Sequence, residues 1–319
     1  MSCPMMLALA VIVLSPCTFS LAAEPTTLSE HLDHVNSVSW SPDGKTLASA
    51  SDDKSVKLWD VATARELATL SGHKEIIWSV SWSPDGKTLA SASLDATLKL
   101  WDVATRKELA TLKGHEASVN SVSWSPDGKT LASGSSDTTL KLWDVATRKE
   151  CATFTGHTHF VSSVSWSPNG KTLASSASYQ DKTVKLWDVN TGKELFTLND
   201  HIGGLNAVSW SPDGKTLATA NLNQTVKLWD VATGKEKDIL KGHADLLVSV
   251  SWSPDGKALV TGSFDGTVQF WDVKTSKQLA TLKEHTGAVI CLSWSPDGKR
   301  LASASRDKTV KLWDVNPKK

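Results

Sequence analysis

Apolar and polar positions alternate along most of this chain with a period of two, the signature of strands that bury one face. In Ser37–Trp40 small serines alternate with Val38 and Trp40. The next five residues, SPDGK, read as a hairpin turn, because Pro42 presets one turn position and Gly44 accepts positive φ. TLASAS and VKLWDV supply two more strands around a short turn at Asp53, and ELATL a fourth that leads into Gly72-His73. No 3.6-residue apolar period interrupts the series, so the unit is a four-stranded antiparallel sheet.

That unit is written seven times. SWSP carries one tryptophan per copy, from Trp40 to Trp294, and WD carries a second, from Trp59 to Trp313. The interval is 42 residues and widens to 44 once, at the fourth copy. These positions account for all but one of the 15 tryptophans, and the exception is Trp78. Seven copies of a histidine, a turn aspartate and a Trp-Asp at fixed spacing resemble the WD40-repeat family over residues 24–319. The resemblance implies an all-β fold, a seven-bladed β-propeller of four-stranded antiparallel blades. The ends suit such a ring. The last copy stops at Trp313-Asp314-Val315 without room for a fourth strand, while Glu24–Leu28 aligns with the fourth-strand segment Glu66–Leu70. An N-terminal strand, about residues 24–28, is therefore expected to complete the last blade, with Pro25 tolerated on its outer edge.

The repeated polar residues invite a catalytic reading, since His, Asp and Ser together can form a triad or a metal site. Their recurrence argues against it. His31 and its equivalents each lie nine residues before the strand-one Trp, and Asp53 and its equivalents six before the Trp of WD. A catalytic group is needed once, whereas a group needed in every blade is structural. The family resemblance implies a buried hydrogen-bond chain from the turn Asp through His and Ser or Thr to the Trp indole. In the second copy that is Asp95, His73, Ser91 and Trp101, and in the third Asp137, His115, Ser133 and Trp143. The chain gives the buried indole N–H an acceptor and fixes the histidine tautomer. Two copies depart. Asn223 replaces Asp in the fifth. That removes a charge-assisted contact of about 1 kcal/mol, so the fifth blade is expected to be the softest. In the fourth, Ser175 holds the hydroxyl position and two extra residues fall in Ser176–Gln180, a loop with the chain's only tyrosine, Tyr179.

The resemblance puts the SPDGK and DVATGK turns on one face, the bottom, where the copies hardly vary and no sector stands out. The loops from His into strand one and the turns before Asp belong to the opposite, top face around the channel mouth, where the copies diverge. Four residues before the strand-one Trp, Asn36, Asn120, Ser162 and Asn206 give way to Trp78, Val248 and Ile290. Two residues earlier, Ile76, Phe160 and Leu246 stand among His34, Ser118, Gly204 and Ala288. Just before the turn Asp, Leu94, Phe264 and Arg306 stand among Asp52, Ser136, Gln180 and Leu222. Large apolar side chains on one rim mark a binding surface, and Trp and Phe are its usual anchors. Partner contacts are expected at these residues and at Tyr179. The alternative is that the apolar side chains fold inward and plug the channel mouth. Arg306 and Asp52, on neighbouring blades, are expected to form an exposed ion pair.

Charge and the N-terminus add two points. Lys+Arg and Asp+Glu are both 34, so the formal net charge is zero and no basic excess suggests a nucleic-acid or anionic-membrane partner. Met5–Leu14 is an uncharged apolar run followed by the small residues of Ser20–Ala23, although no Lys or Arg precedes it. It reads as a secretory signal cleaved after Ala22 or Ala23, and Ser15, Pro16 and Thr18 interrupt it well short of a membrane span. Residues 1–23 are expected to be a signal peptide and 24–319 an exported propeller, periplasmic or extracellular. Cys151 and Cys291 stand where sister copies have Leu or Ser, and read as fillers rather than a bridge. The functional expectation is a monomeric, non-catalytic scaffold for a protein or peptide on the top face, with no cofactor, metal or nucleic acid. The alternative is a small-ligand receptor or enzyme with a site in the central channel. Against it, only His34 and His159 stand outside the repeated histidine position, and no second cluster of Cys, Asp or Glu is read beside them.

Overall fold

Strand after strand forms where the alternating segments predict it. A computed structural model describes residues 19–178, 180–199, 201 and 203–317, so Tyr179 and the apolar run of the expected signal lie outside the described residues. The chain enters on β1 (Phe19–Leu28) and continues through β2 (Val35–Trp40), β3 (Thr46–Ser51), β4 (Ser55–Asp60) and β5 (Arg65–Ser71). Strands β2 to β5 pair in that order as blade one. Its first turn is tied by Ser41 Oγ donating to Asp43 Oδ1 at 2.6 Å and by Gly44 N–H donating to Ser41 O at 2.9 Å. Gly44 sits at φ 69°, where a side chain is unfavourable.

The same pattern recurs to give seven four-stranded antiparallel sheets, the last containing β26 (Val289–Trp294), β27 (Arg300–Ser305) and β28 (Val310–Pro317). Its fourth strand is β1, so the N-terminal strand closes the ring as expected. Leu28, Thr27 and Thr26 pair with Val310, Lys311 and Leu312. Blade one pairs Leu70, Thr69 and Ala68 with Val56, Lys57 and Leu58 in the same register. The closing strand is longer than residues 24–28. Beyond an irregularity between Ala22 and Thr26, pairing resumes from Ala22 opposite Asp314 to Phe19 opposite Pro317. Pro25, which has no N–H to give, falls inside that irregularity.

The core lies between blades rather than within them. Ala48, Ala50, Val56 and Leu58 of blade one pack on Ile77, Val80, Trp82 and Trp101 of blade two, and each seam carries a comparable cluster. Both faces of an inner strand are therefore buried, which explains the alanines and serines of TLASAS: small side chains let neighbouring sheets close up. Gly134 shows how tight the fit is, since a Cβ there would sit 2.5 Å from Val161 Cγ1. No helix among the described residues is long and apolar enough to cross a membrane.

Candidate functional site

Two sets of polar contacts hold the scaffold and define what is left over at the top face. The first is inside each blade. In blade two the Trp101 indole N–H donates to Ser91 Oγ at 2.8 Å. Ser91 Oγ is 2.8 Å from His73 Nε2, and His73 Nδ1 is 2.9 Å from Asp95 Oδ2. Trp143, Ser133, His115 and Asp137 repeat the chain in blade three at 2.8, 2.8 and 2.7 Å. Burial lowers the pKa of His73, His115 and His243 against the pull of their aspartates. The rings are then neutral, with Nδ1–H donating to the carboxylate and Nε2 accepting the hydroxyl hydrogen. Burial would raise Asp95, but the Thr97 hydroxyl, the Lys74 N–H and His73 outweigh it and hold its pKa at about 2. Ser91 and Ser133 are 0% exposed, so neither hydroxyl is open to a substrate and the sets brace the blades.

Blades four and five modify this chain. Ser175 stands between Trp187 at 2.8 Å and His157 at 2.7 Å. In blade five Asn223 Oδ1 accepts from the Thr225 hydroxyl at 2.7 Å, while Asn221 Oδ1 takes His201 Nδ1 at 2.7 Å. The ring of His201 accordingly sits 5.0 Å from that of Trp229, against 6.3 Å for His73 and Trp101. Asn221 replaces the serine of Ser51 and Ser93, a substitution whose role shows only in three dimensions.

The second set runs between blades, around the inner strands. The position occupied by Asn36 is a bulge, with a register shift between Val35 and Ser37 that recurs in each sister strand. From it Asn36 Nδ2 donates to Ile77 O of the next blade at 3.1 Å. Asn120 reaches Val161 O at 2.9 Å, Ser162 Leu205 O at 2.9 Å and Asn206 Leu247 O at 3.1 Å. Two further levels lie below. In seam one–two, Val80 N–H donates to Ser37 Oγ at 3.1 Å and the Trp82 indole to Ser39 O at 3.0 Å. The polar residue at the bulge thus has a job, and Trp78, Val248 and Ile290 are where it is given up. Val248 and Ile290 have no donor, and seam two–three beside Trp78 is held instead by its lower levels, Val122 to Ser79 at 3.2 Å and Trp124 to Ser81 at 3.0 Å.

The divergent top-face residues meet in pairs, because the loop before strand one accepts a backbone bond from the turn before Asp. Leu94 N–H donates to Ile76 O at 2.9 Å, Phe264 to Leu246 at 3.0 Å and Arg306 to Ala288 at 2.9 Å. In blade four the insertion changes the partner, and Ser178 N–H reaches Phe160 O at 3.1 Å. Leu94 and Phe160 are each 41% exposed, while Ile76, Trp78, Leu246, Val248, Phe264 and Ile290 are half-buried. Blade one separates the set of blade two from that of blades six and seven, and Phe160 lies apart from both in blade four. Leu32 in blade one is 82% exposed, at a position where sister copies place Lys74, Glu116, Thr158, Ile202, Ala244 and Thr286.

Three expectations need correction. Arg306 does not pair with Asp52: its guanidinium stacks 4.6 Å above the Phe264 ring and joins blades six and seven. Asp52 is taken by Asn36 Nδ2 at 2.7 Å and His34 Nδ1 at 3.2 Å. His34 is not isolated either, since folding brings Asp33 and Asp52 around it, with candidate donor atoms within 4.8 Å of one another. Nor is the bottom face uniform. A cleft of about 760 Å³ at the closing seam is lined by Trp40, Pro42, Pro296 and Arg300. Arg300, where most copies have threonine, pairs there with Asp314 at 2.9 Å. Cys151 and Cys291 are both free thiols.

Seven interlocked four-stranded blades, braced by a repeated Trp–Ser–His–Asp chain, define a β-propeller. The repeats are WD40 repeats: the family described as WD domain, G-beta repeat matches residues 23–60, 64–102 and 106–144. That described as WDR19 first beta-propeller matches residues 162–318. The chain is similar to "Retinoblastoma-binding-like protein E" of Dictyostelium discoideum, 54% identical over 41 residues, 13% of this chain and 8% of that protein. It is also similar to "WD repeat-containing protein SL1-17" of Schistosoma mansoni, 58% identical over 38 residues, 12% of this chain and 13% of that one. Each match is about one repeat long and carries the repeat alone. WD40 propellers are commonly protein-interaction scaffolds and typically non-catalytic.

Proposed function

We propose that this propeller is a monomeric, non-catalytic platform that holds a protein or peptide on its top face, centred on blades two, six and seven. The observation that carries this reading is the bulge position. Asn or Ser there ties one blade to the next, a bond of about 1 kcal/mol. Trp78, Val248 and Ile290 forgo it and present apolar surface beside Leu94, Phe264 and Arg306. A scaffold gains nothing from that exchange, whereas a partner that covers the apolar surface does. Half-burial of these side chains is compatible with a shallow anchor site. The test is Trp78→Asn, which restores the residue type of blade one. The expected result is unchanged or higher thermal stability with loss of the partners that wild type captures. Equal capture of the same partners by both would remove Trp78 from the interface. The neutral net charge supports a partner other than nucleic acid.

The platform is further proposed to act after export. Met5–Leu14 and Ser20–Ala23 support a cleaved leader, and cleavage after Ala23 leaves the Thr26–Leu28 ladder to close blade seven. N-terminal sequencing of the protein from its native host is expected to start at Ala23 or Glu24, and an intact Met1 would overturn the assignment.

A further inference from the structure

We propose that Asp33, His34 and Asp52 form a binding site for one divalent first-row transition ion at the top of blade one. The three side chains come from the loop before β2 and the turn after β3, and their donor atoms lie within 4.8 Å of one another. His34 Nδ1 and Asp52 Oδ2 are 3.2 Å apart. Two ligands each about 2.0–2.1 Å from a tetrahedral ion are about 3.3 Å apart, so this pair already has ligand spacing. Imidazole with two carboxylates is a donor set that suits zinc and its neighbours in the series.

The sister blades serve as an internal control. At the same three positions blade two has Glu75, Ile76 and Leu94, blade three Ala117, Ser118 and Ser136, and blade six Asp245, Leu246 and Phe264. No sister copy puts more than one His or carboxylate there, whereas blade one has three. The supporting contacts are in place as well. Buried Asn36 donates to Asp52 Oδ1 at 2.7 Å and to Ile77 O at 3.1 Å, which fixes the carboxylate with its other oxygen toward His34. His34 N–H donates to Asp33 Oδ1 at 2.9 Å. Such outer contacts orient ligands and contribute to affinity. Lys308 Nζ, 3.9 Å from Asp33 Oδ1 and half exposed, would be displaced from that carboxylate by the ion. Three protein donors leave at least one coordination position for water or for a donor group of a bound partner.

This site stands independently of the top-face platform. Isothermal titration of the folded, tag-free protein with Zn²⁺ tests it. Wild type is expected to bind one ion per chain. His34→Ala and Asp52→Asn should each weaken binding at least about tenfold, with circular dichroism unchanged. Asp33→Asn gives a second isosteric arm should either fail to fold. His159→Ala, which alters the other histidine outside the repeated position, should bind as wild type does. Absence of saturable one-to-one binding, or wild-type affinity in the folded His34→Ala protein, would overturn the site.

Discussion

The seam between blades one and two and the seam between blades six and seven join the same repeat to itself, yet they are bonded differently. The first has all three levels: Asn36 to Ile77 O, Val80 N–H to Ser37 Oγ, and the Trp82 indole to Ser39 O. The second keeps only the middle one, Leu292 N–H to Ser249 Oγ at 3.1 Å. Val248 has no donor at the top, and at the bottom the buried Trp294 Nε1 finds no hydrogen-bond partner among the described residues. Phe270, where most copies have leucine, lies edge-on to Trp294 at 5.9 Å and takes up room in that seam. Apolar packing is common to both seams. The ring therefore tolerates loss of polar ties in a sector where packing remains, and the sector that loses them carries Val248, Phe264, Ile290 and Arg306.

If braces inside blades matter more than ties between them, disturbing the braces should have the larger effect. Acid is the broadest disturbance. Each turn aspartate has its folded pKa below the 3.8 of a free carboxyl. Their stabilisation is thus full above about pH 4 and is lost as pH falls toward about 2, the value held by Asp95. His73, His115 and His243, lowered from 6.5, act in the same direction earlier. The unfolded chain takes up their protons first, so stability begins to fall below about pH 6.5. Denaturation midpoints measured from pH 7 to pH 2 should drop in these two stages, and a flat profile would count against the buried neutral rings.

A single brace comes next. Ser91→Ala removes the group that both accepts from Trp101 and serves His73, leaving two buried polar atoms unmet at a cost of roughly 3 kcal/mol in urea unfolding. A loss as small as that of an exposed serine would mean the chain in blade two carries no weight. Smaller still is exchange at the bulge. Asn36→Val should lose about 1 kcal/mol and Val248→Asn gain a comparable amount. Effects of the same sign in both would show that the two seams do not differ in the way described. The smallest effect is local: strands of blade five, where Asn221 Oδ1 rather than the turn aspartate takes the histidine Nδ1, should exchange amide hydrogens faster than those of blade three. Equal protection of both blades would equate the two acceptors.

The division between what the sequence discloses and what it hides follows the repeat. Trp, His, turn Asp and the hairpin glycine recur at fixed intervals, so strand order, blade count and the closing role of Thr26–Leu28 could be read directly. Contacts that cross from blade to blade could not. The bulge that turns Asn36 toward Ile77 depends on the rotation between adjacent sheets, which no single copy encodes. Arg306 looked suited to Asp52 by charge alone, but the turn geometry sets it over Phe264, and Asn36 already holds Asp52. Asp33 and His34 are neighbours in the sequence, but β2, a hairpin turn and β3 separate them from Asp52, and only the antiparallel return of β3 along β2 brings the three together. Asn221 is hidden in the same way, since an amide two residues from the expected acceptor reaches the same nitrogen.

The clasp of β1 on β28 has a mechanical consequence. The strands are antiparallel and pair from Leu28 opposite Val310 out to Phe19 opposite Pro317, so Phe19 and Pro317 lie at the same corner of the last blade. Tension applied between them would load the backbone bonds one after another, as in opening a zip, rather than all together in shear. The irregularity between Ala22 and Thr26 divides that zip into two short runs, of which the proposed leader cleavage would leave only Thr26–Leu28. A pull at the termini should therefore open blade seven at low force while the six blades built from contiguous chain stay shut.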